Sequence, residues 1–154
     1  LELAAAGGHA AIVSKLKTIG VKSKHYFHVA AGLGDEKAVR KMIASGTPVD
    51  QRDGFGATPL LFATISGKRE VFDYLISKKA DPKIIASEGY TLMHAAAFAK
   101  DKKLISRLID LGLDVNARYG DDGITPADVA HDSPEAVELI RLHGGKTSWE
   151  LGRR

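Results

Sequence analysis

A period of 33 to 34 residues runs through this 154-residue chain, and it constrains the fold more than any other feature. Threonine recurs at Thr58, Thr91 and Thr125, and a glycine stands two residues before each of them. Apolar residues follow the same register, as at Val39, Phe72 and Ile105. Self-similarity at a fixed period of this length predicts an array of repeated supersecondary units rather than a single irregular core.

The unit that begins at Gly56 predicts a pair of short helices. Gly56 permits a turn with positive φ, Thr58 can cap free backbone N–H groups, and Pro59 suits the first helical position. We expect helices over Pro59–Ile65 and Arg69–Ser77, with a break at Ser66-Gly67 between them. Helices of about two turns are marginal in water on their own. Neighbouring units must therefore cover their apolar faces.

These units resemble a known repeat family. The segments TPLLFA at 58–63 and TLMHAA at 91–96 are similar to the T-P-L-H-x-A signature of the ankyrin repeat, and the period also agrees. The resemblance covers about residues 3–145. It implies an all-α fold, an ankyrin-repeat solenoid of stacked helix-turn-helix units joined by β-turn or hairpin loops.

We divide the chain as a single ankyrin-repeat domain over residues 1–154. A partial repeat at about 3–20 precedes repeats at 25–50, 51–83, 84–116 and 117–144, and residues 145–154 form a C-terminal cap or tail. His25 replaces the capping threonine of the second repeat. Lys79 stands where glycine is usual, and a left-handed cap without glycine costs on the order of 1 kcal/mol.

The C-terminal part predicts two further capped turns. The second helix of the last repeat is expected to restart at Asp132-Ser133-Pro134-Glu135, a cap with proline and a capping-box glutamate. Thr147 and Glu150 also have capping-box spacing. We expect Trp149, the only tryptophan, to pack on the last repeat and close its apolar face, because a terminal repeat must shield that face. In the rival interpretation, Trp149 is an exposed anchor for a partner.

Charge and composition argue against several classes of protein. No stretch approaches the roughly 20 apolar residues of a membrane span, so we expect none. The net charge is +3, divided into +5 over residues 1–83 and −2 over residues 84–154. The basic clusters are short, which favours solvated faces over a phosphate-binding stripe. Nucleic-acid binding by the basic N-terminal half is the less favoured alternative.

No catalytic constellation is present in the sequence. Cysteine is absent, and Gly145-Lys146-Thr147 lacks the upstream glycine of a phosphate-binding loop. His28 and His94 occupy the signature histidine position, where the resemblance implies a structural hydrogen bond between neighbouring loops. We therefore expect no enzymatic activity, no cofactor and no metal site.

The resemblance implies that a protein partner binds to the turn tips and first helices, on the concave face. Large apolar side chains at positions expected to face solvent mark such a surface. The expected contact residues are Leu33, Phe55, Ile65, Tyr90, Phe98, Tyr119, Asp122 and Ile124. In the alternative interpretation, some of these side chains pack back onto the adjacent hairpin. The partner remains unidentified, and we expect the chain itself to be monomeric.

A different role remains open. The chain begins at Leu1 rather than methionine, so we expect a fragment or a processed product. In this alternative, the chain is a regulatory or targeting segment of a larger enzyme or channel.

The surface assignment predicts the effect of two substitutions. Phe98→Asp or Tyr90→Asp should abolish partner binding while circular dichroism and the melting temperature stay near those of the wild type, because a side chain in solvent contributes little to folding. A variant that unfolds would identify its residue as part of the core.

Overall fold

The computed structural model describes residues 26–152 of the chain. Within that range the secondary structure is helical, with an isolated β-bridge between Tyr119 and Ile124 and no strand. The predicted all-α fold class is confirmed for this range. The partial repeat expected at 3–20 lies outside the described residues. The chain divides into two compact units between Asp81 and Pro82.

The first unit contains two helical hairpins. Helices α1 (Tyr26–Leu33) and α2 (Glu36–Ala44) form one hairpin, and α3 (Pro59–Ile65) and α4 (Arg69–Ser77) form the other. The first helices of the two hairpins, α1 and α3, pack on each other. The second helices, α2 and α4, do the same. Apolar side chains fill the space between them. The fully buried large ones are Phe27, Leu60, Phe72 and Leu75.

The second unit repeats this arrangement. A short 3₁₀ turn at Ser87–Gly89 leads into α5 (Leu92–Phe98) and α6 (Lys102–Asp110), and α7 (Pro126–Val129) and α8 (Pro134–Leu142) complete the unit. Helix α5 packs on α7, and α6 packs on α8. The buried large side chains are Leu92, Met93, Ile105, Leu108 and Ile140. Each short helix therefore gains its stability from the neighbouring hairpin.

Local sequence signals set most of the helix boundaries. Helices α3 and α4 have the predicted bounds, and the Leu61 N–H donates to Thr58 Oγ1 over 3.3 Å. Helix α7 begins with a full capping box between Thr125 and Asp128. Helix α8 begins at Pro134 after Ser133, as expected, but the Ser133 side chain makes no capping hydrogen bond. The capping-box part of that expectation is wrong, since Ser133 is the N-cap, and Glu135 is therefore the second helical residue rather than the third.

The second helix of each repeat ends in a residue with left-handed backbone. Gly46, Gly112 and Gly144 have φ between 75° and 89°, and Lys79 takes the same position with φ of 68°. The Lys79 N–H donates to the Ile76 carbonyl, which satisfies an orphan acceptor of α4. The predicted left-handed cap at Lys79 is confirmed, and it lacks the residue type that adopts this conformation without steric cost.

The tail turn is confirmed, but the expected position of Trp149 is wrong. The Thr147 N–H donates to Glu150 Oε2 over 2.7 Å, and the Glu150 N–H donates to Thr147 Oγ1 over 3.3 Å. Trp149 in this turn is 77% exposed and closes no apolar face. Main-chain contacts secure the tail instead, since the Ser148 N–H donates to Asp128 Oδ2 over 2.8 Å.

Replacing Lys79 by glycine should stabilise the chain by about 0.5–1 kcal/mol, because glycine removes the steric cost of positive φ and loses only part of that gain to backbone entropy. Urea unfolding measures the change. The matched control is Lys78→Gly, where φ is −91°, and it should destabilise the chain. A Lys79→Gly midpoint at or below that of the wild type would contradict the assignment of strain.

Candidate functional site

A buried imidazole joins neighbouring turns in the second unit. His94 Nδ1 accepts the Thr91 N–H over 3.2 Å, and His94 Nε2 lies 3.0 Å from the Ile124 carbonyl oxygen. Because a backbone N–H can only donate, the ring proton belongs on Nε2, which donates to Ile124. Burial lowers the pKa of His94 from its ordinary value, although hydrogen bonds to the Ile124 and Ala117 carbonyls act in the opposite direction. The ring is therefore held neutral.

His28 has the same role in the first unit. Its Nε2 lies 2.8 Å from the Gln51 carbonyl oxygen and 3.1 Å from that of Ala57. Both carbonyls belong to the turn that leads into α3, which starts the next repeat. The structural role that the resemblance implied for His28 and His94 is confirmed.

Two tyrosines pack around the His94 ring. Tyr90 stacks on the imidazole with ring centroids 5.4 Å apart, and Tyr119 meets Tyr90 edge to face at 5.0 Å. Burial raises the pKa of Tyr90 to about 12, and the neighbouring Tyr119 hydroxyl adds to the shift. Tyr90 is thus a half-buried side chain of a packed aromatic cluster.

The Tyr119–Ile124 turn presents acidic side chains beside this cluster. Tyr119 and Ile124 exchange two backbone hydrogen bonds of 2.9 Å, and the Gly120 N–H donates to the Glu88 carbonyl over 2.8 Å. Asp121 and Asp122 are exposed at the tip. The turn is therefore fixed at its base and tied to the preceding turn, with its charge facing water.

Phe98 is a large apolar residue of the second unit that is left exposed. It is the last residue of α5, and 59% of it is exposed. Close to it in sequence, Lys100 Nζ and Asp132 Oδ2 form an ion pair of 2.5 Å between the α5–α6 and α7–α8 hairpins. The Lys100 ammonium lowers the pKa of Asp132 from its ordinary value. An apolar side chain thus stands near a charged rim.

Phe55 is an exposed apolar residue of the first unit, and it lies in the turn that precedes α3 rather than at the end of a helix. The Asp53 carboxylate accepts the Phe55 N–H over 2.9 Å and the Ala57 N–H over 2.8 Å, which shapes the turn. The Phe55 side chain is 73% exposed. Leu33 and Ile65 end the two first helices of this unit, and both are half-buried.

The structure separates the predicted contact residues into two groups. Tyr90, Tyr119 and Ile124 come together around the His94 bridge. These three side chains therefore pack largely onto the adjacent hairpin, as in the alternative interpretation. Phe55, Phe98 and Asp122 are exposed. The expectation that Tyr90→Asp leaves stability unchanged is therefore corrected, because a carboxylate there would replace a ring that packs on His94.

A groove of about 440 Å³ in the second unit was not predicted from the sequence. Its walls include Ile85, Leu113 and Arg118, and Ile85 is 55% exposed. The sequence signal was weak, since an apolar pair at 84–85 in a turn-rich stretch is also typical of a buried turn. Among residues 26–152, no group of three His, Asp or Glu side chains is placed to hold a metal ion. Over the same range, no helix has the length and apolar character needed to span a bilayer.

The chain is similar in sequence to known repeat proteins. A family model described as ankyrin repeats in three copies matches residues 1–86 and 27–119. The chain is 32% identical over 121 residues to the ankyrin repeat and SAM domain-containing protein 6 of Rattus norvegicus, a match that covers 75% of this chain and 13% of that protein.

Other relatives are also much longer proteins. The inactive serine/threonine-protein kinase TEX14 of Bos taurus is 33% identical over 82 residues, covering 53% of this chain and 6% of the kinase. A transient receptor potential cation channel subfamily A member 1 homolog of Caenorhabditis elegans is 28% identical over 103 residues, covering 67% and 8%. The chain therefore spans about a tenth or less of these two relatives.

The aromatic cluster predicts different costs for two similar substitutions. Tyr90→Asp should lower the free energy of unfolding by about 2–4 kcal/mol, because it removes a packed ring and places a charge against His94. Phe98→Asp should change it by less than about 0.5 kcal/mol, since Phe98 faces solvent. Urea unfolding of both variants tests this, and equal losses would show that Phe98 is also core.

The buried imidazole predicts a loss of stability in mild acid. The pKa of His94 lies below 6.5 in the folded chain, so the unfolded state binds the proton more readily. Stability is therefore fully present above pH 6.5 and declines as the pH falls from 6.5 through the lowered pKa. His94→Gln, which cannot titrate, should flatten the pH dependence of the free energy of unfolding in this window. An unchanged slope would show that His94 is not responsible.

Proposed function

The chain belongs to the ankyrin-repeat family, and on that premise we propose that it binds a partner protein through its turn tips and the exposed ends of its first helices. Ankyrin repeats are in general protein-interaction modules. The exposure of Phe55 and Phe98 at turn-tip and first-helix positions is the observation that carries the proposal. Large aromatic side chains left in solvent at these positions are typical of interface anchors.

The second unit supports the proposal through its rigidity. Tyr90 and Tyr119 present one edge of an aromatic cluster, while hydrogen bonds to His94 hold the cluster in place. A partner that contacts this edge meets groups that are already ordered, so little entropy is lost on binding. Asp122 lies on the neighbouring turn and is exposed. Its charge would orient an approaching partner more than it would strengthen the complex.

The first unit supports it through Phe55. The Asp53 carboxylate accepts two backbone N–H groups of the turn and therefore fixes the direction in which Phe55 leaves the chain. Leu33 and Ile65, which are half-buried, add apolar area at the ends of α1 and α3. We assign to Leu33 and Ile65 a contribution to shape, and to Phe55 the larger share of the binding energy.

A second candidate role is a regulatory or targeting segment within a larger protein. The small share of each relative that this chain covers favours it, and one of those relatives is a homolog of a cation channel. This role is compatible with partner binding, because a segment of this kind also acts through contacts with another protein surface. Recovery of neighbouring parts of the same polypeptide as the bound material would support it.

The test compares capture of binding proteins by four immobilised forms of the chain. These are the wild type, Phe98→Asp, Phe55→Asp and the control Ile85→Asp, which alters an exposed residue outside the proposed surface. The captured amount of a specific partner should fall about tenfold or more with Phe98→Asp and Phe55→Asp, because truncating an interface anchor costs about 2 kcal/mol or more of binding free energy. Ile85→Asp should retain it.

Two outcomes would overturn the proposal. If capture falls equally with Ile85→Asp, the partner binds elsewhere or the loss is nonspecific. If nucleic acid rather than protein is recovered, and binding falls steeply with salt, the basic N-terminal half is the functional surface. Circular dichroism of each variant confirms that the fold is retained.

A further inference from the structure

The outer face of α8 carries a shallow groove of about 430 Å³. It is lined by Pro134, Val137, Glu138, Arg141 and Leu142. These residues follow i, i+3, i+4, i+7 and i+8 spacing, so they form one stripe along the helix. Leu142 is 74% exposed, although it is a large apolar residue.

At Val137, this stripe continues the interface by which second helices pack on one another. Val39 on α2 and Ile105 on α6 share the repeat register of Val137, and both are fully buried. Helices α4 and α8 pack against α2 and α6, respectively. Val137 is only half-buried, and within residues 26–152 no further helix packs on the outer side of α8. The face is therefore built for a helix that the described chain does not supply.

We propose that this face, here called the α8 face, pairs with the α8 face of a second copy of the chain. Its pattern of residues is self-complementary. In the proposed dimer, the two α8 helices are antiparallel and the two-fold axis passes between residues 139 and 140. Glu138 of each copy then lies opposite Arg141 of the other, while Val137 and Leu142 lie at matching levels on the two edges of the contact. A two-fold dimer requires such reciprocity, since the same patch serves both partners.

The charges on the α8 face favour a second copy over an unrelated apolar helix. Glu138 and Arg141 would form two reciprocal ion pairs, which fix the register and the antiparallel direction. The Arg141 guanidinium lies 3.2 Å from Glu150 of the same chain, which restrains it, and half of the side chain still faces solvent. A single helix pair buries a small area, and the dimer is therefore expected to be weak and dependent on concentration.

The proposal replaces the monomer expected from the sequence and does not depend on the proposed partner surface. Phe55 and Phe98 lie outside the α8 face. Dimerisation would double the number of partner-binding surfaces in one particle, and a partner with two or more sites would gain avidity from it.

The test measures molar mass by sedimentation equilibrium up to about 200 μM, a range that detects weak dimers. Wild type should move from the 16.5 kDa of one chain toward twice that mass as concentration rises. In each reciprocal pair, Glu138→Arg sets two cationic side chains against each other, and Arg141→Glu sets two carboxylates against each other. Each variant alone should dimerise about tenfold more weakly or worse.

Mixing the two variants gives the sharpest result. A Glu138→Arg copy presents two cations and an Arg141→Glu copy presents two anions, so the antiparallel pair regains both ion pairs. The equimolar mixture should therefore form a heterodimer at concentrations where neither variant dimerises. Glu70→Arg on α4 is the control, since Glu70 is exposed and outside the α8 face, and it should match the wild type.

Circular dichroism of each variant shows whether the variant is folded, so that a loss of dimerisation can be separated from a loss of folding. A wild type that stays monomeric throughout the concentration range overturns the proposal, and it would assign the α8 face to another repeat or another protein. A dimer that withstands both single reversals also overturns it, since its interface must then lie elsewhere. A mixture that fails to associate rules out the antiparallel register.

Discussion

The hydrogen bonds of a buried imidazole to the next turn are the interaction on which each unit depends. His28 and His94 sit in first helices too short to be stable alone, and each ring contacts a backbone carbonyl of the following repeat. The bond orders the turn, and the ordered turn sets where the next first helix begins. Burial of the His94 ring favours its neutral form and lowers its pKa.

This framework separates residues that maintain the fold from those that the proposed function assigns to recognition. Tyr90 and Tyr119 extend the imidazole cluster, so their rings stabilise the turn. Phe55 and Phe98 add nothing comparable to the core, since most of each side chain lies in solvent. Exposed aromatic side chains have a solubility cost, which the proposed binding function would offset.

The ends of a repeat array raise a separate problem, because the last helix has no following neighbour. In the described chain, the tail after α8 is tied by Thr147, Ser148 and Glu150, and these bonds leave Trp149 outside rather than over the apolar face. The half-buried Val137 and exposed Leu142 therefore remain available on α8. A second copy of the chain would cover these two side chains, and the reciprocal placement of Glu138 and Arg141 favours such a dimer.

Sequence alone determined the repeat period, the bounds of α3 and α4 and the left-handed position of Lys79. These follow from local chemistry, since caps, positive-φ turns and apolar spacing act over a few residues. The bridging role of His28 and His94 was implied by the resemblance to the ankyrin repeat. Only the tertiary structure decided which apolar residues are exposed. Tyr90 packs inward, Trp149 turns outward, and the α8 face stays open, because burial depends on which neighbour lies across a contact, and periodicity does not specify that neighbour.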